Sequence, residues 1–204
     1  MAFCNSTGAC NKLGNNTADQ FHHDLATLKL DYVDLLLLHW PCDTVEDNIQ
    51  TYQLMESYVR SGKARAIGLS NFNAAKIEEL LPHVSIKPSL NQCAFSIAGH
   101  TADEWGRDDT TVAMCKKHNI TFQAYSPLGG WALGGTARVL GDPTVKAVAA
   151  AHNRSTAQVA LRWVVQQGIV AVTASNEKAF DVADLALWDF SLTEKEMVTL
   201  AALK

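Results

Sequence analysis

Five apolar runs along the chain each stop at a polar or aromatic residue suited to chemistry. Each run has the character of a buried strand, and a helix-like segment follows most of them. The runs and their stops are Leu35–Leu38 before His39, Ala66–Leu69 before Ser70 and Asn71, Ser89–Asn91 before Gln92, Phe122–Ala124 before Tyr125 and Ser126, and Ile169–Val172 before Thr173. This alternation predicts a parallel sheet, whose strands end on one common face. Residues far apart in sequence are therefore expected to share one site.

Helix signals separate the strands. Helices are predicted near residues 47–61, 74–81, 110–118, 143–153, 156–167, 177–187 and 193–203. Capping residues support three of them: Thr44 with Asp47, Ser155 with Gln158, and Thr193 with Glu196. Residues 1–18 are polar and lack periodicity, which predicts a tail or loop, and a further helix is expected from Asp19. Such a chain forms either a doubly wound sheet or part of an eight-stranded barrel, and composition does not choose between them.

Composition and charge narrow the class of protein. The 204 residues are 48% hydrophobic and 19% charged, as in one soluble globular domain. The formal charge of −4, without a run of Lys or Arg, gives no footprint for nucleic acid. No apolar stretch reaches the ~20 residues that span a bilayer. Five scattered cysteines without a C-x-x-C pattern favour reduced thiols, and residues 1–4 do not begin a signal peptide. We therefore predict a cytoplasmic protein with no metal site and no membrane or nucleic-acid partner.

Four segments resemble the aldo-keto reductase family, in the family's order and at comparable spacing. They are Leu30–Pro41 (LDYVDLLLLHWP), Gly62–Phe72 (GKARAIGLSNF), Ala124–Gly129 (AYSPLG) and Asp142–Val145 (DPTV). The resemblance implies an α/β fold of the (β/α)8 TIM-barrel type. This chain would supply only the C-terminal part, in residues 19–204, with about five β/α units that correspond to strands 4–8. The implied activity is the reduction of aldehydes or ketones, small-molecule carbonyl substrates, with a nicotinamide cofactor.

The resemblance implies a catalytic role for His39 and a substrate-binding role for Trp40. His39 matches the family histidine that positions the carbonyl oxygen, and Trp40 matches an aromatic wall of the substrate pocket. The chemistry agrees, because a histidine at the carboxyl end of a buried strand can donate a hydrogen bond to a developing oxyanion. A structural histidine or a core tryptophan would leave the same pattern.

The resemblance also implies a set of cofactor-binding residues. Ser70, Asn71 and Gln92 match the positions that hold the nicotinamide carboxamide, which needs both hydrogen-bond donors and acceptors. Tyr125 matches the ring that stacks on the nicotinamide. Ser126 and Leu128 match contacts to the pyrophosphate and ribose, and the glycine-rich loop that begins at Gly129 takes the place of the family's cofactor-covering loop.

The segment after the last predicted strand departs from the family pattern. Ser175 and Asn176 occupy the places of the usual Lys-Ser, and Asp181 that of the arginine that grips the cofactor's 2′-phosphate, whereas Asp184 matches an acidic position that contacts adenine. Fewer cations and an added carboxylate disfavour a dianionic phosphate. NADP(H) is the cofactor implied by the family, and Ser175 and Asp181 favour some shift toward NAD(H).

The family's proton-donating Tyr, its Lys and its Asp have no match in residues 1–30. The resemblance would place them before strand 4, so the chain is expected to be an N-terminally truncated member. It is then a piece of an active reductase, or a catalytically impaired short form that acts as a cofactor-binding or regulatory protein. A different barrel enzyme with coincidental motifs is the third interpretation. Open sheet edges would favour self-association.

Overall fold

Helices and strands alternate along the chain in the computed structural model, which describes residues 17–102, 104–130 and 133–203. The helices are α1 (Thr17–Leu28), α2 (Val45–Arg60), α3 (Ala74–Leu80), α4 (Asp109–Lys117), α5 (Ala137–Leu140), α6 (Pro143–His152), α7 (Thr156–Gln166), α8 (Lys178–Leu185) and α9 (Glu194–Ala201). The strands are β1 (Val33–Leu38), β2 (Ala64–Ser70), β3 (Leu90–Ala94), β4 (Thr101–Ala102), β5 (Arg107–Asp108), β6 (Thr121–Tyr125) and β7 (Val170–Val172).

The described residues form two compact units. The first comprises those up to Gln92 together with Thr110–Thr121, and the second comprises Cys93–Asp109 and those from Phe122 onward. The boundary passes through β3 and β6, so each unit holds part of both strands.

The first unit is built on the parallel strands β1, β2 and β3. The register pairs Leu38 with Leu69 and Ser70 with Gln92, so the carboxyl ends of the three strands lie side by side. Helix α2 packs against β1 and β2, and its inward face buries Tyr52 and Met55 completely. Thr44 caps this helix, because its hydroxyl accepts a hydrogen bond from the Asp47 backbone N–H.

The second unit surrounds the parallel pair β6 and β7, in which Tyr125 lies opposite Val172. Its core helix is α7, whose N-terminus has the predicted capping box of Ser155 and Gln158. Trp163 of α7 is 2% exposed and stacks on Phe95 with the ring centroids 5.6 Å apart. This unit also contains the antiparallel hairpin of β4 and β5.

Each predicted strand and helix is present among the described residues, in the predicted order and with ends shifted by at most three residues. Two features were not predicted, the β4–β5 hairpin and the short helix α5. The first helix begins at Thr17, two residues before the expected Asp19, and the rest of the predicted tail lies outside the described residues. No helix in the described part of the chain is long and apolar enough to cross a membrane.

The expectation of reduced thiols is wrong at Cys42, which is disulfide-bonded. Cys93 and Cys115 are free and buried. The sequence shows neither the bond nor its partner, because scattered cysteines do not define a connectivity.

Candidate functional site

Three strand ends in the first unit bring together four of the predicted residues. His39 follows β1, Ser70 ends β2 and is followed by Asn71, and Gln92 lies within β3. The Ser70 hydroxyl and the Asn71 backbone N–H both donate to the Gln92 carbonyl oxygen, each at 2.9 Å. The expected convergence of these residues is thus present within this unit.

Asn71 ties the cluster together. Its Nδ2 donates to the His39 carbonyl oxygen at 2.9 Å and to the Ser70 hydroxyl oxygen at 3.0 Å. Its backbone has φ = +64°, in the left-handed region that asparagine tolerates better than most residues. Only 1% of Asn71 is exposed, so these bonds form in an environment where an unmade one is costly.

His39 and Trp40 are the half-buried members of this group. Their rings meet edge to face, with centroids 5.9 Å apart. Burial lowers the pKa of His39 below its ordinary value of 6.5, which favours the neutral imidazole near pH 7. A neutral imidazole still has one N–H to donate, so His39 can bind a carbonyl oxygen without being charged.

Asn91 is a structural member of the cluster that sequence reasoning missed as a site residue. It is fully buried, and its Nδ2 donates to the Phe72 carbonyl oxygen at 2.8 Å. This bond holds the segment that follows Asn71. Within the described structure its Oδ1 has no hydrogen-bond partner. In the sequence, an amide residue next to Gln92 could have indicated this role. It was assigned to the apolar run of the strand instead.

Tyr125 and the residues after it form a second group, in the second unit. Burial raises the pKa of Tyr125, the nearby Cys93 raises it further, and Arg107 opposes both effects. The phenol is therefore neutral near pH 7, as suits a stacking ring. Ser126 has φ = +53°, and its carbonyl oxygen accepts from the Gly129 N–H at 2.8 Å, which turns the chain sharply out of β6.

The loop from Gly129 requires glycine for two reasons. Gly129 has φ = +82°, and a Cβ at that position would lie 2.8 Å from Val139 Cγ2 and 3.1 Å from the Gly135 carbonyl oxygen. The backbone therefore folds tightly on itself. Leu128, the other predicted contact in this turn, is half-buried.

Ser175, Asn176 and Asp184 form a third part of the predicted set, after β7. Ser175 and Asn176 are exposed, and the Ser175 hydroxyl bonds both the backbone N–H and the carbonyl of Glu177 at 3.0 Å. Burial raises the pKa of Asp184, and the neighbouring Asp181 raises it further. Residues 173–184 contain three carboxylates and one lysine, a net charge of −2. This segment is unfavourable for an anion.

The donor set fits a nicotinamide cofactor in its chemistry. In the first unit, hydroxyl and amide groups at adjacent strand ends match the donors and acceptors of a carboxamide. In the second unit, a neutral aromatic ring and a tight glycine turn are available. The predicted residues thus lie in separate groups within the two units. In each group, the course of the backbone brings the residues together.

Comparison with known proteins agrees with this description. A family model described as "Aldo/keto reductase family" matches residues 11–204. The 9,11-endoperoxide prostaglandin H2 reductase of Trypanosoma cruzi (strain CL Brener) is 36% identical over 181 residues, which cover 89% of this chain and 60% of the relative. The glyoxal reductase of Bacillus subtilis (strain 168) is 35% identical over 188 residues, which cover 92% of this chain and 62% of the relative.

Solved structures show the same relationship. MGS-M4, an aldo-keto reductase enzyme from a Medee basin deep-sea metagenome library, aligns with a TM-score of 0.80 and 29% identity, over 91% of this chain and 65% of that one. The aldose reductase from Schistosoma japonicum aligns with a TM-score of 0.77 and 27% identity, over 90% and 62%. These matches confirm the fold class predicted from the sequence.

The chain spans 60 to 62% of the length of these curated relatives, and it matches a part of their barrel. Since the family model covers nearly all of it and relatives above 30% identity match most of it, the chain belongs to the aldo/keto reductase family.

Proposed function

We propose that the protein is an NAD(P)H-dependent oxidoreductase that reduces small aldehydes or ketones to alcohols. The observation that carries the proposal is the network at the strand ends of the first unit. Asn71 donates to the His39 carbonyl oxygen and to Ser70, and Ser70 donates to the Gln92 carbonyl oxygen. The three residues proposed to bind the carboxamide and His39, the candidate hydrogen-bond donor to the oxyanion, are therefore held by one hydrogen-bond network. The names of the relatives, a glyoxal reductase among them, favour the same reaction class.

The roles follow from the chemistry of each group. The cofactor, when bound, supplies the hydride. Ser70, Asn71 and Gln92 would hold its carboxamide, and Tyr125 would stack on its ring. His39 donates a hydrogen bond to the carbonyl oxygen as negative charge develops there. Trp40, in edge-to-face contact with His39, limits the space beside that oxygen.

The second unit holds the remaining candidate residues for the cofactor. Ser126, Leu128 and Gly129 would contact the diphosphate and ribose, since they form the tight turn that directly follows Tyr125. Ser175, Asn176 and Asp184 would meet the adenosine part. The net charge of −2 around them supports weaker selectivity for NADPH over NADH than is usual in the family. Dissociation constants for the two cofactors test this, and a strong preference for NADPH would contradict it.

The experiment is a fluorescence titration with NADPH and NADH, followed by a turnover assay with glyoxal. Tyr125→Leu should weaken cofactor binding on the order of tenfold, because it removes a stacking surface. The matched control is Tyr32→Leu, which removes an exposed tyrosine that packs under Arg65. His39→Gln should leave the dissociation constant unchanged and lower kcat by about 10²–10³-fold.

The possible results separate the competing functions. Binding with turnover supports the reductase. Binding without turnover favours the cofactor-binding or regulatory alternative. Absence of cofactor binding by the wild-type protein would refute both.

We also infer that the protein can self-associate. Apolar residues are exposed on or next to an outer strand of each unit, with Leu35 at 38% and Tyr32 at 39% in the first and Val170 at 44% and Val172 at 40% in the second. Exposed strands of this kind can pair with other chains. Sedimentation velocity over a hundredfold range of concentration tests self-association, and a constant monomer mass would contradict it.

A further inference from the structure

The turn that follows β2 is supported by a buried amide on the neighbouring strand β3. Asn91 is fully buried, and its Nδ2 donates a hydrogen bond to the Phe72 carbonyl oxygen at 2.8 Å. Phe72 directly follows Asn71, one of the residues proposed above to bind the nicotinamide carboxamide. We propose that Asn91 is a positioning residue for this site, because it fixes the backbone that carries the Asn71 side chain. The inference rests on the proposed function and adds a residue to it.

Two successive residues of β3 hold the Asn71–Phe72 backbone from both sides. The Gln92 carbonyl oxygen accepts from the Asn71 N–H at 2.9 Å, and the Asn91 side chain donates to the carbonyl oxygen of Phe72. The first bond fixes the planar peptide group before Asn71, and the second fixes the one after Phe72. Between these two groups lie the φ and ψ angles of just two residues. The direction in which the Asn71 side chain leaves the backbone is therefore set by β3.

The backbone at Asn71 needs such support. Its φ of +64° lies in the left-handed region, which is unfavourable for residues other than glycine. A backbone of this kind persists where the surrounding structure determines it. The Asn71 amide donates to the His39 carbonyl oxygen and to Ser70 Oγ, so a rotation of the backbone would displace it from both. The geometry of the proposed carboxamide site thus depends on how firmly this turn is held.

The bond to Phe72 accounts for an amide at position 91. Within the described structure Asn91 Oδ1 has no hydrogen-bond partner, although the side chain is completely buried, and such an oxygen is unfavourable for stability. Reversal of the amide would place Oδ1 against the Phe72 carbonyl oxygen, and two acceptors cannot bond each other. The same Nδ2 lies 3.8 Å from the sulfur of Cys115, which is a weak acceptor. The Phe72 carbonyl therefore fixes the amide in its present orientation.

The segment beyond Phe72 has a support of its own. The Ala74 backbone N–H donates to Thr111 Oγ1 at 3.1 Å, at the first residue of α3. Thr111 is also fully buried. This bond holds the beginning of α3 without the Asn91 side chain, so loss of the Asn91 amide should shift Asn71 and leave α3 in place. Thr111→Val is accordingly a matched control, because it removes a buried side-chain hydrogen bond to the same segment two residues further on.

The experiment compares the affinities of NADH and ADP-ribose by isothermal titration of the full chain. Both ligands contain adenosine, diphosphate and a second ribose, but NADH alone carries the nicotinamide. The wild-type protein should bind NADH more tightly than ADP-ribose. Asn91→Leu, which keeps the branched shape and removes the donor, should weaken NADH binding about three- to tenfold, the contribution of one neutral hydrogen bond. It should leave the dissociation constant of ADP-ribose unchanged, and Thr111→Val should change neither ligand's affinity.

A second variant separates the lost hydrogen bond from the larger volume of leucine. Asn91→Ser is smaller than the wild-type residue and too short to replace the Nδ2 donor, so it should give the same selective loss of NADH affinity. It also replaces Asn91→Leu if circular dichroism shows that the leucine variant does not fold. Urea unfolding of each variant shows whether Thr111→Val is destabilised to a similar extent.

The results distinguish positioning from a merely structural role. Equal weakening of NADH binding by Asn91→Ser and by Thr111→Val at similar urea midpoints would overturn the inference. Weakening of both ligands by the Asn91 variants, or unchanged NADH affinity in them, would overturn it as well.

The wild-type protein separates this inference from the proposed function. If it binds NADH no more tightly than ADP-ribose, the carboxamide site itself is refuted before any variant is made, and the role of Asn91 is refuted with it. If it binds NADH more tightly and the Asn91 variants keep that difference, the role of Asn91 alone is refuted and the proposed function stands.

Discussion

Replacement of Asn71 by alanine should lower the free energy of unfolding. The loss has two causes, the hydrogen bonds that disappear and the left-handed backbone conformation that alanine must adopt. Within the described structure the side-chain amide donates two hydrogen bonds, at 2.9 Å to the His39 carbonyl oxygen and at 3.0 Å to Ser70 Oγ. Alanine removes both and adds none. The His39 carbonyl then loses this donor at a position where Asn71 itself is 1% exposed.

The magnitude follows from two separate costs. The two neutral hydrogen bonds contribute about 1 kcal/mol each. Alanine in the left-handed region at φ = +64° adds about 1 kcal/mol, because it lacks the short polar side chain with which asparagine stabilises this conformation. Asn71→Ala should thus lower the free energy of unfolding by about 3 kcal/mol. With a urea m-value of about 2 kcal/mol/M, the midpoint falls by about 1.5 M.

Asn71→Gly is the matched control, because it loses the same two bonds but accepts the positive φ. It should be more stable than Asn71→Ala by about 1 kcal/mol. The assay is urea unfolding followed by circular dichroism and by tryptophan fluorescence, whose transitions should coincide for a two-state comparison. A loss below 1 kcal/mol for alanine, or a glycine variant no better than alanine, would refute the reasoning about this residue.

Two further predictions concern the framework around the site. Gly68→Ala should lower the free energy of unfolding in urea by about 3 kcal/mol or more. The alanine Cβ would lie 2.6 Å from the Leu90 carbonyl oxygen, between the paired strands β2 and β3. A loss below 1 kcal/mol would show that the strands move apart easily. Burial acts to raise the pKa of Glu196, but hydrogen bonds from Thr193 and the interaction with His152 outweigh it and hold the pKa below 4.5. Glu196 therefore stabilises the fold above pH 4.5, and this contribution is lost as the pH falls through the folded-state pKa. Glu196→Gln should reduce the fall in the free energy of unfolding as the pH drops below 4.5. An unchanged fall in that pH range would contradict the role given to Glu196.

The apolar runs predicted the strands because each buried strand leaves a continuous signal. Leu38 and Leu69 are fully buried and paired in register, as their positions at the ends of two such runs indicate. The helix starts were equally well marked, since Ser155 and Thr193 both form the expected capping boxes. Local sequence and tertiary structure agree at these positions, so the sequence alone was sufficient.

The hairpin of β4 and β5 could not be predicted in the same way. Each strand has two residues, which is too short for any alternation to be read. Its turn depends on Trp105 in the left-handed region, where sequence rules expect glycine or asparagine. The contact of Leu133 with Gly99 joins residues far apart in sequence, and no local pattern announces it.

Backbone strain identifies the same regions as the chemistry does. Six non-glycine residues in the described structure have positive φ. Lys29, Asn119 and Asn153 follow helices, where a left-handed residue is an ordinary ending. The other three are Asn71, Ser126 and Trp105, which lie in the strand-end network, in the turn after Tyr125 and in the turn between β4 and β5. Each such residue costs on the order of 1 kcal/mol and persists only where its surroundings determine it. None of the three ends a helix, and two of them, Asn71 and Ser126, are residues of the proposed cofactor site, so the folded chain retains this strain where that function is placed.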